Sequence, residues 1–431
     1  MAGGAVVQRA SPWWVHPARL LAIVVLPIAI VVCLYTADVI NHNRANYSAP
    51  VFFNAYYAAL FLGGLLILTV FALVGARGNS GAPSVSFGNG ALDFLFIACL
   101  TAYAIWFGPM LASAPEVLLG AITAESGAVY DVRELSTRLP GITTLTQFGV
   151  AYVCIYAIRK FVNGERLPRR FDVFLAIIMG AAIFRALVNS ERIALVEVAI
   201  PLLVILCKGA QLTGARPLRI FRQTLPLLIL GASPVFFTLF EYNRSWINHY
   251  QYEYDSLLEF ALERFGLYYI TSVNNFCGFL DHSAWPTFTG EWSLLWLYRF
   301  PLIGPALADL VGADSGAAFE TFLKEYATDE FNNPTGILIV YHDWGVFGGV
   351  LFLAAYGLFA GLAYRAFEQS RGLLQYIYPI VFYSFFEILR IGYLYDGRSI
   401  AAVIGLGIAY VGWGKRAKMR RHTATARLAL P

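Results

Sequence analysis

Charge is scarce in this chain. Asp, Glu, Lys and Arg make up 13% of its 431 residues, about half the share found in soluble globular domains. Lysine is scarcer still, with 5 Lys beside 26 Arg. Cysteine is sparse and unpatterned. Cys33, Cys99, Cys154 and Cys207 lie in apolar runs, Cys277 lies in a polar stretch, and no CxxC pair occurs. That excludes a disulfide framework and a metal knuckle. There is no HExxH, no DxD beside an apolar run and no glycine-rich phosphate loop. The acids Glu241, Glu253, Asp255, Asp281 and Glu291 follow no ligand spacing. The sequence therefore predicts no metal and no cofactor. Internal repeats and low-complexity tracts are missing too. No small-residue cleavage site follows the first apolar run, so that run reads as a retained span rather than a signal peptide.

What the chain has in abundance is apolar surface. Hydrophobic residues make up 58% of it and the mean hydropathy is +0.61. Burying that much without lipid needs a larger core than single domains build. A soluble enzyme, a disordered chain and a nucleic-acid binder are excluded, and an all-α polytopic membrane protein is expected. Runs long enough to cross a bilayer fall near 18–38, 52–75, 91–113, 142–158, 171–188, 191–207, 224–241, 334–364, 373–390 and 399–414, giving ten expected spans.

The charges orient these spans. With both termini cytoplasmic, the inner segments 1–19, 76–93, 159–172, 208–223, 365–371 and 415–431 hold 20 Lys and Arg against 4 acids. The outer parts hold 11 Lys and Arg. Positive residues thus lie inside, as the orientation rule requires. The expected organisation is spans one to seven over 1–241, a large outer loop over 242–333, spans eight to ten over 334–414, and a basic cytoplasmic tail over 415–431. The pattern at 251–270 suits amphipathic helices lying on the membrane or capping the bundle. Pro286, Pro301 and Pro305 break the following stretch into short pieces.

Ten of the 11 outer cations are Arg. Arg185, Arg192, Arg244, Arg390 and Arg398 sit at outer helix ends, and Arg264 and Arg299 sit in the large loop. Guanidinium binds phosphate bidentately and stays charged at any relevant pH. A ring of Arg at the outer interface suits a lipid diphosphate. Snorkelling to headgroups is the plainer use of such residues. Arg185 lies within an apolar run, where a charge is costly, and Arg192 follows it across a short turn. A second candidate is the pair His342 and Asp343 inside a long apolar stretch, since histidine or carboxylate is the usual general base. The glycines around this pair permit close approach of a neighbouring helix. His249 and His282 read as surface residues of the loop.

These residues resemble a family. The many spans, the large outer loop before the last three, Ser190-Glu191-Arg192 opening an apolar run, and Asn333 followed by His342-Asp343-Trp344-Gly345 are similar to the bacterial O-antigen and oligosaccharide repeat-unit polymerases. Those are related more distantly to O-antigen ligases and to the SEDS glycosyltransferases. The resemblance implies a GT-C-like, metal-independent inverting glycosyltransferase of the bacterial inner membrane. Its donor and acceptor would be undecaprenyl-diphosphate-linked oligosaccharides at the periplasmic face. A chain-length regulator and a flippase would be partners, with no nucleic acid. Arg185, Arg192, Arg244, Arg264, Arg299 and Arg398 would hold the diphosphate, and Tyr252, Trp285 and Trp292 would stack on sugars. His342 or Asp343 would take the acceptor's proton. His342 is the preferred base, with Asp343 orienting it or holding an Arg such as Arg398. Helical neighbours point about 100° apart, so both are not expected to face one substrate. The alternatives are a ligase, a transporter or flippase, and an export scaffold.

Overall fold

The computed structural model describes residues 11–38, 49–123, 125, 127–136, 139–209, 216–313, 316–328, 330–395 and 397–416. Among these, helices dominate. Six are long and apolar enough to cross a membrane: α1 (Pro17–Thr36), α2 (Ala55–Ala76), α3 (Asn89–Ser113), and, further on, Arg169–Val188, Pro217–Glu241 and Ile339–Glu368. After α3 come two short helices, α4 (Pro115–Ile122) and α5 (Ala128–Leu135), then α6 (Phe148–Ala157). The Arg169–Val188 helix is α7, and α8 (Arg192–Lys208) follows it. Pro217–Glu241 is α9. Later helices are α10 (Leu257–His282), α11 (Gly304–Val311), α12 (Ala317–Tyr326), α13 (Ile339–Glu368), α14 (Leu374–Ser384) and α15 (Gly397–Trp413), with a single turn at Leu295–Tyr298 before α11.

Two ends of the bundle are distinguishable from contacts alone. At one end β1 (Val85–Phe87) pairs antiparallel with β2 (Gly414–Arg416). There the Gln369 amide side chain donates to Gly78 O, and Lys208 donates to Phe367 O and Ser370 Oγ. At the other end Arg133 donates to the Asn189 carbonyl and Gly127 N–H donates to Asn248. The first group of segments carries the basic excess of the sequence, so this geometric polarity coincides with the charge polarity.

Glycine sets the tightest packing. A Cβ at Gly357 would lie 2.4 Å from Leu68 O, one at Gly361 2.3 Å from Ala72 O, and one at Gly75 2.3 Å from Leu358 O. Only glycine lets the backbones of α2 and α13 approach this closely. Of the glycines around His342, Gly336 and Gly345 do meet other segments, where a Cβ would lie 2.8 Å from Ile388 O and 3.2 Å from Pro286, respectively. Gly348 and Gly349 face Trp344 and Tyr341 of their own helix.

In the large loop, exposed Leu258 and Leu262 alternate with buried Phe260 and Ala261, as the amphipathic pattern at 251–270 expects, and the difference comes beyond it. The loop holds a 26-residue helix, α10, capped by Ser256 Oγ, which accepts the Glu259 N–H at 3.1 Å. From Ile270 to Leu280 every residue of α10 is buried. Asn274 Oδ1 accepts the N–H groups of Phe52 and Phe53, and Asn274 Nδ2 donates to Pro50 O. The helix is therefore inserted between other segments rather than laid on a surface, because its polar residues find backbone partners inside the fold. Cys277, read as part of a polar stretch, is fully buried there.

Candidate functional site

A cavity of about 1690 Å³ is lined at the end opposite β1 and β2 by Arg133, Ser190 and Glu191 and reaches along the bundle to Leu20 and Ile408. Its polar wall is built from Arg133, Arg192, Arg299, Arg390 and Arg398, together with Glu191, Glu259, Glu263, Glu330 and Glu387. Its apolar wall comes from three helices. Val24, Ile28 and Val31 of α1 face Ile229, Leu230 and Phe236 of α9 and Ile400, Ile404 and Ile408 of α15.

The apolar part exists because α9 stands off the bundle. Only 22% of its most apolar window is buried, against 33–44% for the other five long helices. The helix is tied at its two ends instead. Near one end Pro226 has no N–H to give the Arg222 carbonyl, and Trp14 Nε1 donates to that carbonyl at 2.8 Å. Trp13 Nε1 reaches Gln223 O at 3.1 Å beside it. At the other end Phe237 packs edge-on against Tyr268, and Ser190 Oγ donates to Phe240 O at 3.1 Å. The middle of α9 is left facing the cavity.

The polar wall is ordered by ion pairs. Ser190 takes a left-handed backbone (φ 50°) in the turn between α7 and α8. That turn folds Glu191 back, with its N–H on Ala186 O, and sets Ser190, Glu191 and Arg192 together on the wall. Glu191 accepts Arg185 at 2.6 Å and lies 3.5 Å from Arg398. Arg398 also reaches Glu197 at 3.2 Å, and Glu197 accepts Gln147 at 2.7 Å. Arg192 contacts Glu241 at 3.3 Å and lies 4.0 Å above the Phe237 ring. Arg390 pairs with Glu387 at 2.7 Å.

The expected diphosphate arginines therefore divide. Arg192, Arg299 and Arg398 line the cavity. Arg185 and Arg264 do not. Arg185 is 4% exposed and held by Glu191 over the Trp106 ring. Arg264 is 4% exposed between Glu241, at 2.8 Å, and Glu330. Both serve as buried counter-charges that position wall carboxylates. The Arg244 side chain lies outside the described residues. The sequence had not singled out Arg133 as a ligand, and had placed Arg390 only at a helix end. Both join the wall through segments distant in the chain.

The expected stacking aromatics lie elsewhere. Tyr252 is 90% exposed, Trp285 donates to Leu280 O at 3.0 Å, and Trp292 is buried against Phe276 and Phe319. None lines the cavity, whereas Tyr268, Tyr269, Trp296, Phe300 and Tyr393 do.

His342 and Asp343 do not line it either. Their surroundings are set by a break in α13. Gly345 is non-helical (φ 68°, ψ −177°), so the carbonyls of His342 and Asp343 lose their donors one turn on. The N–H groups of Thr287 and Phe288 replace them at 3.0 and 2.8 Å. The Asp343 carboxylate accepts Ser293 N–H at 2.7 Å and Trp292 N–H at 3.2 Å. Asp343 thus fastens the 286–293 segment and does not hold Arg398. Within this arrangement His342 Nδ1 lies 3.8 Å from Asp343 Oδ1. Glu291 joins them, with its Oε1 at 3.3 Å from the same nitrogen. Nearby, burial and the negative field of Asp343 and Glu291 push the Tyr298 phenol above its usual value. His249 lies beside Tyr130, and His282 contacts Gly278 O.

No family model matches this chain, and no curated protein or solved structure matches it either. What the fold and the site define is an α-helical protein with several apolar helices fit to span a membrane, and a large cavity with an arginine-bearing polar wall and an apolar flank.

Proposed function

We propose that this protein is a membrane-embedded glycosyltransferase that uses lipid-diphosphate-linked oligosaccharides. In this reading it polymerises undecaprenyl-linked repeat units at the outer face of the bacterial inner membrane, with ten spans and both termini cytoplasmic. The observation that carries the proposal is the two-sided cavity of about 1690 Å³. A long apolar tail suits the gap between α1, α9 and α15, and a diphosphate suits Arg192, Arg299, Arg390 and Arg398 at its polar end. Such a ligand needs both surfaces in one cavity.

The chemistry asks for two further things. The acceptor hydroxyl attacks the anomeric carbon as the carbon–oxygen bond to the lipid diphosphate breaks. The leaving charge has to be stabilised, and fixed guanidinium groups do this in a site of low dielectric. The hydroxyl proton has to be taken by a base. Because His342 and Asp343 lie off the cavity, this role passes in our proposal to a wall carboxylate. Glu387 is the choice, since it sits on the wall with its partner Arg390. A diphosphate that engages Arg390 loosens its hold on Glu387 and frees the carboxylate for the proton.

Against a transporter, the polar lining gathers at one end. The wall towards the other end is apolar, with Leu20, Val24 and Ile408. A scaffold would have no use for five arginines around a cavity. The decisive assay incubates purified protein with lipid-diphosphate-linked repeat units. A ladder of products supports polymerisation and a single addition supports ligase-type transfer. No consumption of donor would reject the enzymatic reading.

A further inference from the structure

His342, marked in the sequence for proton transfer, sits in surroundings suited to other chemistry. Glu291, His342 and Asp343 each offer one donor atom, and these atoms lie within 4.8 Å of one another. All three residues are buried, at 7%, 2% and 0% exposure. His342 Nδ1 is buried and makes no hydrogen bond, which is costly for a polar nitrogen in an enclosed place. It points at the two carboxylates instead.

We infer that Glu291, His342 and Asp343 bind a single divalent cation of the zinc type, which clamps the 286–293 segment into the break of α13. Geometry, charge and ligand chemistry agree on this. Zinc bonds of about 2.0–2.2 Å place tetrahedral ligand atoms about 3.3–3.5 Å apart. His342 Nδ1 lies 3.3 Å from Glu291 Oε1 and 3.8 Å from Asp343 Oδ1. Two carboxylates and an imidazole ligate a metal in their deprotonated forms, and the negative charge of such a donor set suits a divalent cation. One nitrogen with two oxygens favours zinc over calcium or magnesium, which take oxygen ligands. The outer contacts are in place as well. Ser293 N–H holds Asp343 Oδ2 at 2.7 Å, and Trp344 Nε1 donates to Ser293 Oγ at 2.8 Å. Contacts of this kind orient ligating carboxylates.

The clamp is structural. None of its three ligands lines the cavity, and the segment it holds leads directly into Trp296 and Arg299, which do. A protonated His342 paired with Glu291 is the competing arrangement, and it needs no metal.

The test uses the full chain, purified in detergent without a polyhistidine tag. It is stripped with chelator and then dialysed against zinc with magnesium in excess. Bound metal is counted by mass spectrometry and thermal unfolding is followed in parallel. The expected result is one zinc per chain, with a Tm raised by zinc and lowered by chelator. Glu291→Gln, checked for a monodisperse gel-filtration profile, is expected to lose that zinc and the zinc dependence of Tm. Wild-type protein that keeps no zinc and melts identically with zinc and chelator would overturn the inference in favour of the protonated pair. Undiminished zinc in Glu291→Gln would overturn it too.

Discussion

Replacing Arg398 by Lys separates charge from geometry at the polar wall. Arg398 contacts Glu197 at 3.2 Å and Glu191 at 3.5 Å, and its side chain is 30% exposed. Glu197 is 2% exposed in the middle of α8. An alanine would leave that buried carboxylate with Gln147 alone and would confound binding with folding. Lysine keeps a cation beside Glu197, so the bundle is expected to remain folded. What lysine lacks is the planar fork that holds two phosphate oxygens. A hydrogen bond to a charged group contributes about 1.5–3 kcal/mol, which corresponds to a roughly 10- to 150-fold fall in kcat/KM for the lipid-diphosphate donor. The assay is product formation from lipid-linked repeat units over a donor titration, with Tm measured on the same preparation. A folded Arg398→Lys protein with unchanged kcat/KM would show that the donor diphosphate does not use this fork, and would remove Arg398 from the site.

Three more outcomes are expected. Glu241 is 1% exposed and bonds Arg264, Arg192 and Ser245, so Glu241→Gln is expected to destabilise the protein by about 3–5 kcal/mol, as when one partner of a buried pair is removed; an unchanged Tm in detergent would refute it. Ile404→Trp, on the apolar wall of α15, is expected to raise the donor KM with little change in Tm, and equal KM for wild type and variant would exclude a lipid tail from the gap. Cys277 is expected to resist a membrane-impermeant thiol reagent in the folded protein, whereas Tyr252→Cys, at a site 90% exposed, is expected to react from outside intact spheroplasts; labelling only after the cells are broken would invert the topology.

Much of the helical skeleton was legible. The run at 52–75 becomes Ala55–Ala76 and the run at 171–188 becomes Arg169–Val188, because a long apolar stretch with few charges is unambiguous. The outer loop was less legible. The amphipathic pattern was placed at 251–270, and the polar stretch around Cys277, with Asn274, Asn275 and Asp281, gave no sign of burial. The structure buries it because Asn274 finds the backbone of 50–53 as its partner, a contact across more than two hundred residues. Similarly, the run at 334–364 gave no sign of its break. Gly345 is one of several glycines there, and only the fold shows that it takes the positive φ and that Pro286 packs 3.2 Å from where a Cβ would sit.

The site divides along the same line. Composition and charge by themselves determined a helical chain suited to a membrane, a basic end and an arginine-bearing end, because hydropathy and net charge are sums over local residues. They also marked Arg192 and Arg398, since a charged residue at the end of an apolar run is conspicuous, whereas Ser190 was marked only through the family resemblance. Only the tertiary structure decided which arginines face the cavity. Arg185 and Arg398 share Glu191, and Arg192 and Arg264 share Glu241, so what separates them is the side of the shared carboxylate on which each guanidinium packs, and Glu241 and Glu330 come from other segments. The same holds for His342. Its chemistry depends on Glu291, 51 positions earlier, and no spacing rule joins residues brought together by a broken helix and the loop that fills the break.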